Sequence, residues 1–514
     1  MARLRLISQE NFAGEGETMH LEDIIHHDLV IRLETLKTDS ELVKQIQTQL
    51  SHFGMYPDGE WLDGDYGSFT DKAITQFCDK FSLNNRQIAI FEVNFANKLL
   101  KIDTKSPFPT TENREKIYQK FLQAAAKGQE DYPVLLYKGI KTSPYQKEIS
   151  DYPRRLLQKP DGKKVVCAIK GDKTFQSYPS VGKIPEIDEG GLEFLHADIT
   201  EACICIGTFV ERQLQVKWLG RNALSNDEFW SGTKIIPLTY VVSQANRQSA
   251  ETDIDTCNIR GVDSQGGYRN LSFSDLARDV ISYEYNLASS NSLGAMFKRF
   301  APQKDIEAWL KGITGNQNLI FRGRYGEKPF INQPELYDRT TGKVLLKPDS
   351  QSPQWESNTI SAYDLNRIIS MVGWHYYLPY ASRIPGAQWH SLESIIRAMG
   401  NDPARLTDLA LGELGLENAV ESSVIISKLG NGATSIRKRT EAVYVALVQF
   451  VDNSPQKLGE ASRLVTLSMA LRGAKQHQPR NFQREVVELD ARMAGEVTEI
   501  IRRAVTGKIL DSSF

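Results

Sequence analysis

Long apolar runs, clustered charge of one sign and regularly spaced cysteines are all missing from this 514-residue chain, and each absence excludes something. No apolar stretch approaches the roughly 20 residues that a membrane-crossing helix requires. Lys and Arg number 62 against 64 Asp and Glu, a net charge of −2, with no basic run to follow a phosphate backbone. Nucleic acid is therefore not an expected partner. The cysteines Cys78, Cys167, Cys203, Cys205 and Cys257 are odd in number and irregular in spacing, so neither a zinc cage nor a disulfide framework is expected. Cys203 and Cys205 sit in the strand-like ACICIG and read as small buried apolar residues. The opening MARLRLISQENFAGEG shows no apolar core of a signal peptide.

The chain has an ordinary composition, 40% apolar and 25% charged, at a length suited to roughly two to four domains. Residues 1–39 are polar. They hold His20, Glu22, His26, His27 and Asp28, whose i, i+4 spacing is incomplete, so a solvated helix face is expected rather than a metal site. Residues 40–102 read as three helices. The first runs through Leu42, Ile46 and Leu50 and ends near Gly54. A loop with Gly59, Gly64 and Gly67 comes next, then a second helix with Thr70 as its N-cap, then VNFANKLLKI. Residues 103–132 form a Pro-containing linker and a helix closed by Gly128. Residues 133–195 hold short strands and turns, either a small β-module or an extension of the next domain.

From 196 to 514 the pattern is hairpin, helices, hairpin, helix. The hairpins are ACICIGTFVERQLQVKWLG and SSVIISKLGNGATSIRKRTEAVYVALVQFV, and the last helix is REVVELDARMAGEVTEIIRRAVTG. An antiparallel sheet built from both ends of this region, with a helical insert between, is an α+β layout.

The stretch DEFWSGTKIIPLTYVV, residues 227–242, places Ser231 and Lys234 one helical turn apart beside the apolar Ile235, Ile236, Leu238 and Val241. A lysine entering a core is costly unless paired or neutral. A serine hydroxyl needs an adjacent base to act as a nucleophile, and a lysine can serve if burial and a nearby positive charge lower its pKa. Two further fragments come later in the chain. NLASSNSLGAMFKRF contains Ser289-Ser290-Asn291, an S-x-N, and VIISKLGNGA contains Lys428-Leu429-Gly430, a K-x-G at the end of a strand.

This set resembles the serine β-lactamase and penicillin-binding-protein superfamily, with its S-x-x-K, S-D-N and K-T-G motifs. The likeness covers roughly residues 196–510 and includes TISAYDLNRIIS, which resembles the helix after the mid-domain loop of these enzymes. It implies that Ser231 is the acylated nucleophile and Lys234 its general base. Ser289 would relay a proton to the leaving group, and Asn291 would bond the substrate amide and Lys234. Lys428 would keep Lys234 partly neutral and attract an anionic substrate, beside Gly430. The backbone N–H groups of Ser231 and Asn431 would form the oxyanion hole. No metal or other cofactor is implied.

Leu429 departs from the family by replacing a hydroxyl residue that helps to bind a substrate carboxylate. Glu335, in NQPELYDRTTG, is reminiscent of the deacylating glutamate of one β-lactamase class, although the stretch reads equally well as strand, turn and strand with the turn at Asp338 to Gly342. The aromatic cluster Trp374 to Tyr380 is expected mainly in the core.

Residues 42–84 resemble the three-helix peptidoglycan-binding domain, through Leu50, Gly54, Asp63-Gly64, Gly67, Thr70, Ala73, Ile74 and Phe77, with Cys78 where the family usually has glutamine. The expectation is a penicillin-binding-type serine hydrolase or transferase acting on peptidoglycan peptides or related amides. A β-lactamase, or an inactive wall-binding protein that keeps the fold, are the alternatives. The family implies the periplasm or cell wall. With no signal peptide visible, a cytoplasmic place stays open, as does the oligomeric state.

Overall fold

The computed structural model describes residues 5–6, 19–52, 55–57, 59–81, 83–101, 112–127, 140, 143–284, 286–321, 325–349, 358–434, 438–458 and 460–511. Two compact units divide the chain, Met1–Pro109 and Thr110–Phe514.

The smaller unit has helices at Ser40–His52, Ser68–Lys80 and Val93–Lys101, together with short helices and a three-stranded sheet. Val43, Ile46, Leu50, Ile74, Phe77, Phe95 and Leu99 form its core. Thr70 is not the N-cap expected of it. The second helix starts three residues earlier, at Ser68 with Gly67 as its cap, and the Thr70 hydroxyl turns inward to donate to the Asp65 carbonyl at 3.1 Å. Gly54, the expected end of the first helix, and Gly128, the expected cap of the linker helix, lie outside the described residues.

In the larger unit the strands β1 (Ile199–Val210), β2 (Gln213–Arg221), β3 (Val420–Thr434), β4 (Arg439–Asp452) and β5 (Ser462–Lys475) form one antiparallel sheet in the order β3-β4-β5-β1-β2. Both predicted hairpins are present. The first turns through Glu211 and Arg212, both at positive φ, the backbone that matches strand twist in a two-residue hairpin. The strand β5 is not among the elements expected from the sequence, and it joins the two ends of the domain. Residues 165–167 pair with β5, while 176–177 and 187–188 pair with β2. Three short segments of the stretch 133–195 therefore extend this sheet, whereas Gln146–Asp151 and Tyr152–Leu156 are helical rather than the short strands and turns expected there.

Strand periodicity of two sorts the side chains of β4 onto opposite faces. Val443, Val445 and Leu447 meet the helical insert: an added Cβ at Gly232 would lie 3.0 Å from Val443, and one at Gly373 would lie 2.5 Å from Leu447. Ala442 faces the terminal helix Phe482–Val505. The insert carries α1 (Ile235–Gln248), α2 (Phe273–Ser282), α3 (Ser290–Phe297), α4 (Ala362–Gly373), α5 (Trp389–Met399) and α6 (Leu406–Glu413). The helix α4 is buried along its whole length and starts with a capping box between Ser361 and Asp364.

A separate four-stranded sheet joins Tyr268–Ser272, Cys257–Val262, Glu335–Asp338 and Val344–Leu346. Of the Trp374–Tyr380 cluster, Trp374 is core, whereas Tyr376 and Tyr380 are exposed. All five cysteines are free thiols. No helix among the described residues is long and apolar enough to cross a membrane.

Candidate active site

The site forms where α1 starts against the edge strand β3. Ser231 lies in a tight turn, Trp230–Lys234, that leads into α1. Trp230 precedes it in the left-handed region, at φ 46°, unusual for a bulky side chain. Two contacts hold it there. Its indole N–H donates to the Glu441 carboxylate at 2.7 Å, and its ring lies on Gly432. Gly430 completes the seat. An added Cβ there would stand 2.9 Å from the backbone nitrogens of both Ser231 and Gly232, so only glycine lets the strand approach the serine's turn this closely. Lys428, Gly430 and Gly432 alternate along β3 and share the face turned to this site; Leu429 points to the other and is buried. Asn431 lies opposite Ala442 in the ladder and lines a small cavity against the terminal helix with Phe482 and Asp490.

Lys234 is fully buried. Its Nζ donates to Ser290 Oγ at 2.8 Å and to Asn291 Oδ1 at 2.7 Å. The rings of Tyr283 and Tyr325 flank it, with centroids 5.3 Å and 5.5 Å from the amine. Lys428 is also fully buried, 3.7 Å from the centroid of the Tyr283 ring, and donates to the Ile281 carbonyl at 3.3 Å. Tyr283 thus stands between two buried amines, and its hydroxyl donates to the Leu429 carbonyl at 3.2 Å.

Burial pushes the Lys234 amine well below the ordinary lysine value, and repulsion from Lys428 adds to that, while Glu327 opposes it. Desolvation disfavours a charged amine and a nearby like charge disfavours it further. This is the state a lysine needs to accept a proton from an alcohol near neutral pH.

The structure therefore puts Asn291 on Lys234, sets Lys428 across the Tyr283 ring from it, and seats Gly430 against the backbone of the Ser231 turn. It does not place Ser289 as expected. That hydroxyl caps α3, accepting from Ser292 N–H at 3.1 Å and donating to the Glu327 carboxylate. A helix start leaves orphan N–H groups, and the residue before the first turn satisfies them. The next residue is turned inward, so the hydroxyl on Lys234 is that of Ser290, which is buried and also donates to the Val280 carbonyl at 2.6 Å. Glu335 is not part of the site either. It lies in the separate sheet with its carboxylate on Arg260 at 3.0 Å. The alternative of strand, turn and strand describes that segment, with Gly342 N–H bonded back to the Asp338 carbonyl at 2.9 Å.

Sequence reasoning missed Ser290, Tyr283, Tyr325, Glu327 and Asp402. Only Ser290 had a visible signal, as the middle residue of the S-x-N. Among the described residues no group of three or more His, Cys, Asp or Glu side chains is placed to hold a metal.

No family model and no curated protein matches the chain. Among solved structures, a β-lactamase from Desulfarculus baarsii DSM 2075 is similar at 12% identity and a TM-score of 0.34, over 59% of this chain and 93% of that one. A peptidoglycan synthetase from Bifidobacterium adolescentis ATCC 15703 is similar at 10% identity and a TM-score of 0.29, over 61% of this chain and 56% of that one. Likenesses this weak assign neither fold nor activity.

Proposed function

We propose that the chain is a serine acyl hydrolase or transferase of penicillin-binding type, forming an acyl-enzyme on Ser231. One observation carries this reading: a fully buried lysine, one turn from a serine, bonded to Ser290 and Asn291 and facing a second buried lysine across an aromatic ring. A fold has little structural reason to bury two amines together, since each loses hydration and repels the other.

In this mechanism neutral Lys234 takes the proton of Ser231 as its oxygen attacks an acyl carbon. Charge develops on the acyl oxygen, and the backbone N–H groups of Ser231 and Asn431 receive it. The amine leaves as it accepts a proton, for which Ser290 is better placed than Ser289 because its hydroxyl already touches the lysine. Water or a second amine then releases the acyl group. Asn291 orients both the lysine and the substrate amide. Peptidoglycan peptides or related amides are the proposed substrates, with the smaller unit as the proposed wall-binding element and the cell envelope as the proposed location.

Incubation with a penicillin followed by intact-mass measurement tests the chemistry. One adduct per chain is expected, absent in Ser231→Ala; an adduct that persists in that variant would refute the assignment. Sedimentation with purified peptidoglycan tests the wall-binding part, which fails if the full chain stays in the supernatant.

A further inference from the structure

The K-x-G strand is held by an acid that lies outside all three motifs. Asp402 sits on the connection between α5 and α6 and is fully buried. Its carboxylate reaches three successive residues of β3. It accepts from the Ser427 hydroxyl at 2.8 Å and the Leu429 N–H at 3.3 Å, and it lies 3.8 Å from the Lys428 amine. Two of these contacts fix the strand on either side of the lysine, and the third faces its charge.

We infer that Asp402 is a positioning residue, the counter-ion that fixes both the place and the protonation of Lys428. The inference rests on the acyl-enzyme reading for what that charge does. Among the described residues the amine also meets the Ile281 carbonyl and the Tyr283 ring, both neutral, with Lys234 beyond that ring, which repels it. Tyr444 stands on the adjacent strand with its hydroxyl on Thr407. Arg405, on the same connection as Asp402, has its own partner in Asp408, at 2.8 and 2.9 Å. Glu327 is exposed and acts on Lys234. Among the described residues Asp402 is thus the acid that faces Lys428. Burial alone pulls the lysine down, and the carboxylate opposes that pull. Burial likewise raises the acid, and the lysine opposes it. Each group offsets part of what burial does to the other, and the charge that Lys428 retains adds to burial in driving the proton off Lys234.

With Asp402→Asn the amine has no anion beside it and loses its proton at lower pH. The alkaline limb of the penicillin acylation rate should move down by at least about one unit, so that the rate above the wild-type midpoint falls about tenfold while the rate below it changes little. Asp402→Glu, which keeps the charge, should restore the limb. In Lys428→Arg the alkaline limb should be lost whether residue 402 is Asp or Asn, because a guanidinium does not titrate there. An equal loss at every pH in Asp402→Asn would mean that the acid only supports the strand, and would overturn the inference.

Should that variant not fold, the wild-type protein decides. The ¹⁵Nζ resonance of Lys428, assigned with Lys428→Arg, and the ¹³C carboxyl resonance of Asp402 should titrate as one coupled pair; independent titrations would overturn the proposal. If wild type forms no penicillin adduct at all, the enzyme reading fails, and these resonances still decide the pairing.

Discussion

Each unit of this protein buries a polar side chain at its centre, and the two are treated in opposite ways. In the smaller unit Gln47 is fully buried among acceptors and a donor that suit a neutral amide. Its Nε2 meets Tyr56 Oη at 3.0 Å, Asp63 Oδ1 at 2.9 Å and the Asp65 carbonyl at 3.0 Å, and its Oε1 accepts from Gly64 N–H at 2.8 Å. Gly64, at φ 79°, closes on the Ser40 carbonyl so tightly that a Cβ would stand 2.6 Å from it. In the larger unit Lys234 has two hydrogen bonds, two aromatic faces and a second amine nearby. The first arrangement satisfies its buried group and so stabilises; the second withholds the counter-charge that stability would favour. Polar burial that a fold needs and polar burial that a reaction needs are told apart by whether the group is neutralised by its surroundings.

That contrast can be broken most strongly at Lys234. Replacing it by Met should lower the rate of Ser231 acylation by roughly a thousandfold, the scale of a lost general base. The same change should leave the protein as stable as before or stabilise it by about 1–2 kcal/mol, because an ill-matched buried amine is removed. Gln47→Leu should do the reverse. It should destabilise the smaller unit by about 2–3 kcal/mol by orphaning buried partners, with no change in acylation. Thermal unfolding and intact-mass kinetics on the two variants give both numbers, and a destabilised Lys234→Met would erase the distinction.

Gly430→Ala is the next effect in size. Acylation should fall about a hundredfold as the new methyl group pushes the strand off the Ser231 turn, at a stability cost of about 1–3 kcal/mol. The adjacent serines sharpen the comparison further. Ser290→Ala should slow acylation at least tenfold, whereas Ser289→Ala should chiefly remove a helix cap worth about 1 kcal/mol. Glu335→Gln should change the acylation rate less than about twofold.

Stability should also depend on pH in a direction that these lysines set. Their folded pKa values lie below the ordinary value of 10.5. Between the folded and the ordinary value the unfolded chain therefore binds more protons than the native one. Stability then rises with pH through that window and levels off above about 10.5. Melting temperatures measured from pH 7 upward should show a smaller rise in Lys234→Met than in wild type.

The large architecture was legible because the β-branched runs at 199–210, 420–434 and 439–452 lie beside short turns, and a hairpin is a local event. The strand β5 was missed because its partners, Arg439–Asp452 and Ile199–Val210, include one more than 250 positions earlier in the chain. The ordered set of three motifs, through the family it resembles, singled out Ser231, Lys234, Asn291 and Lys428. It missed the choice between Ser289 and Ser290, which depends on where α3 begins, to a single residue. Asp402 left no trace in the sequence, since an acid in a loop announces nothing until the strand it serves is folded against it. The N-cap assigned to Thr70 failed for a related reason: Gln47 and the Asp65 carbonyl, rather than its own helix, attract its hydroxyl.

An uncharged Lys234 that arms Ser231 is the centre of the proposed chemistry. The rate at which a penicillin acylates Ser231, followed by mass from pH 5 to 9 in wild type and in Lys234→Met, addresses that directly. Wild type should speed up as pH rises through a midpoint far below that of a free lysine, and the variant should show neither the rise nor an appreciable rate. A variant that acylates as fast as wild type across that range would contradict the role assigned to the lysine.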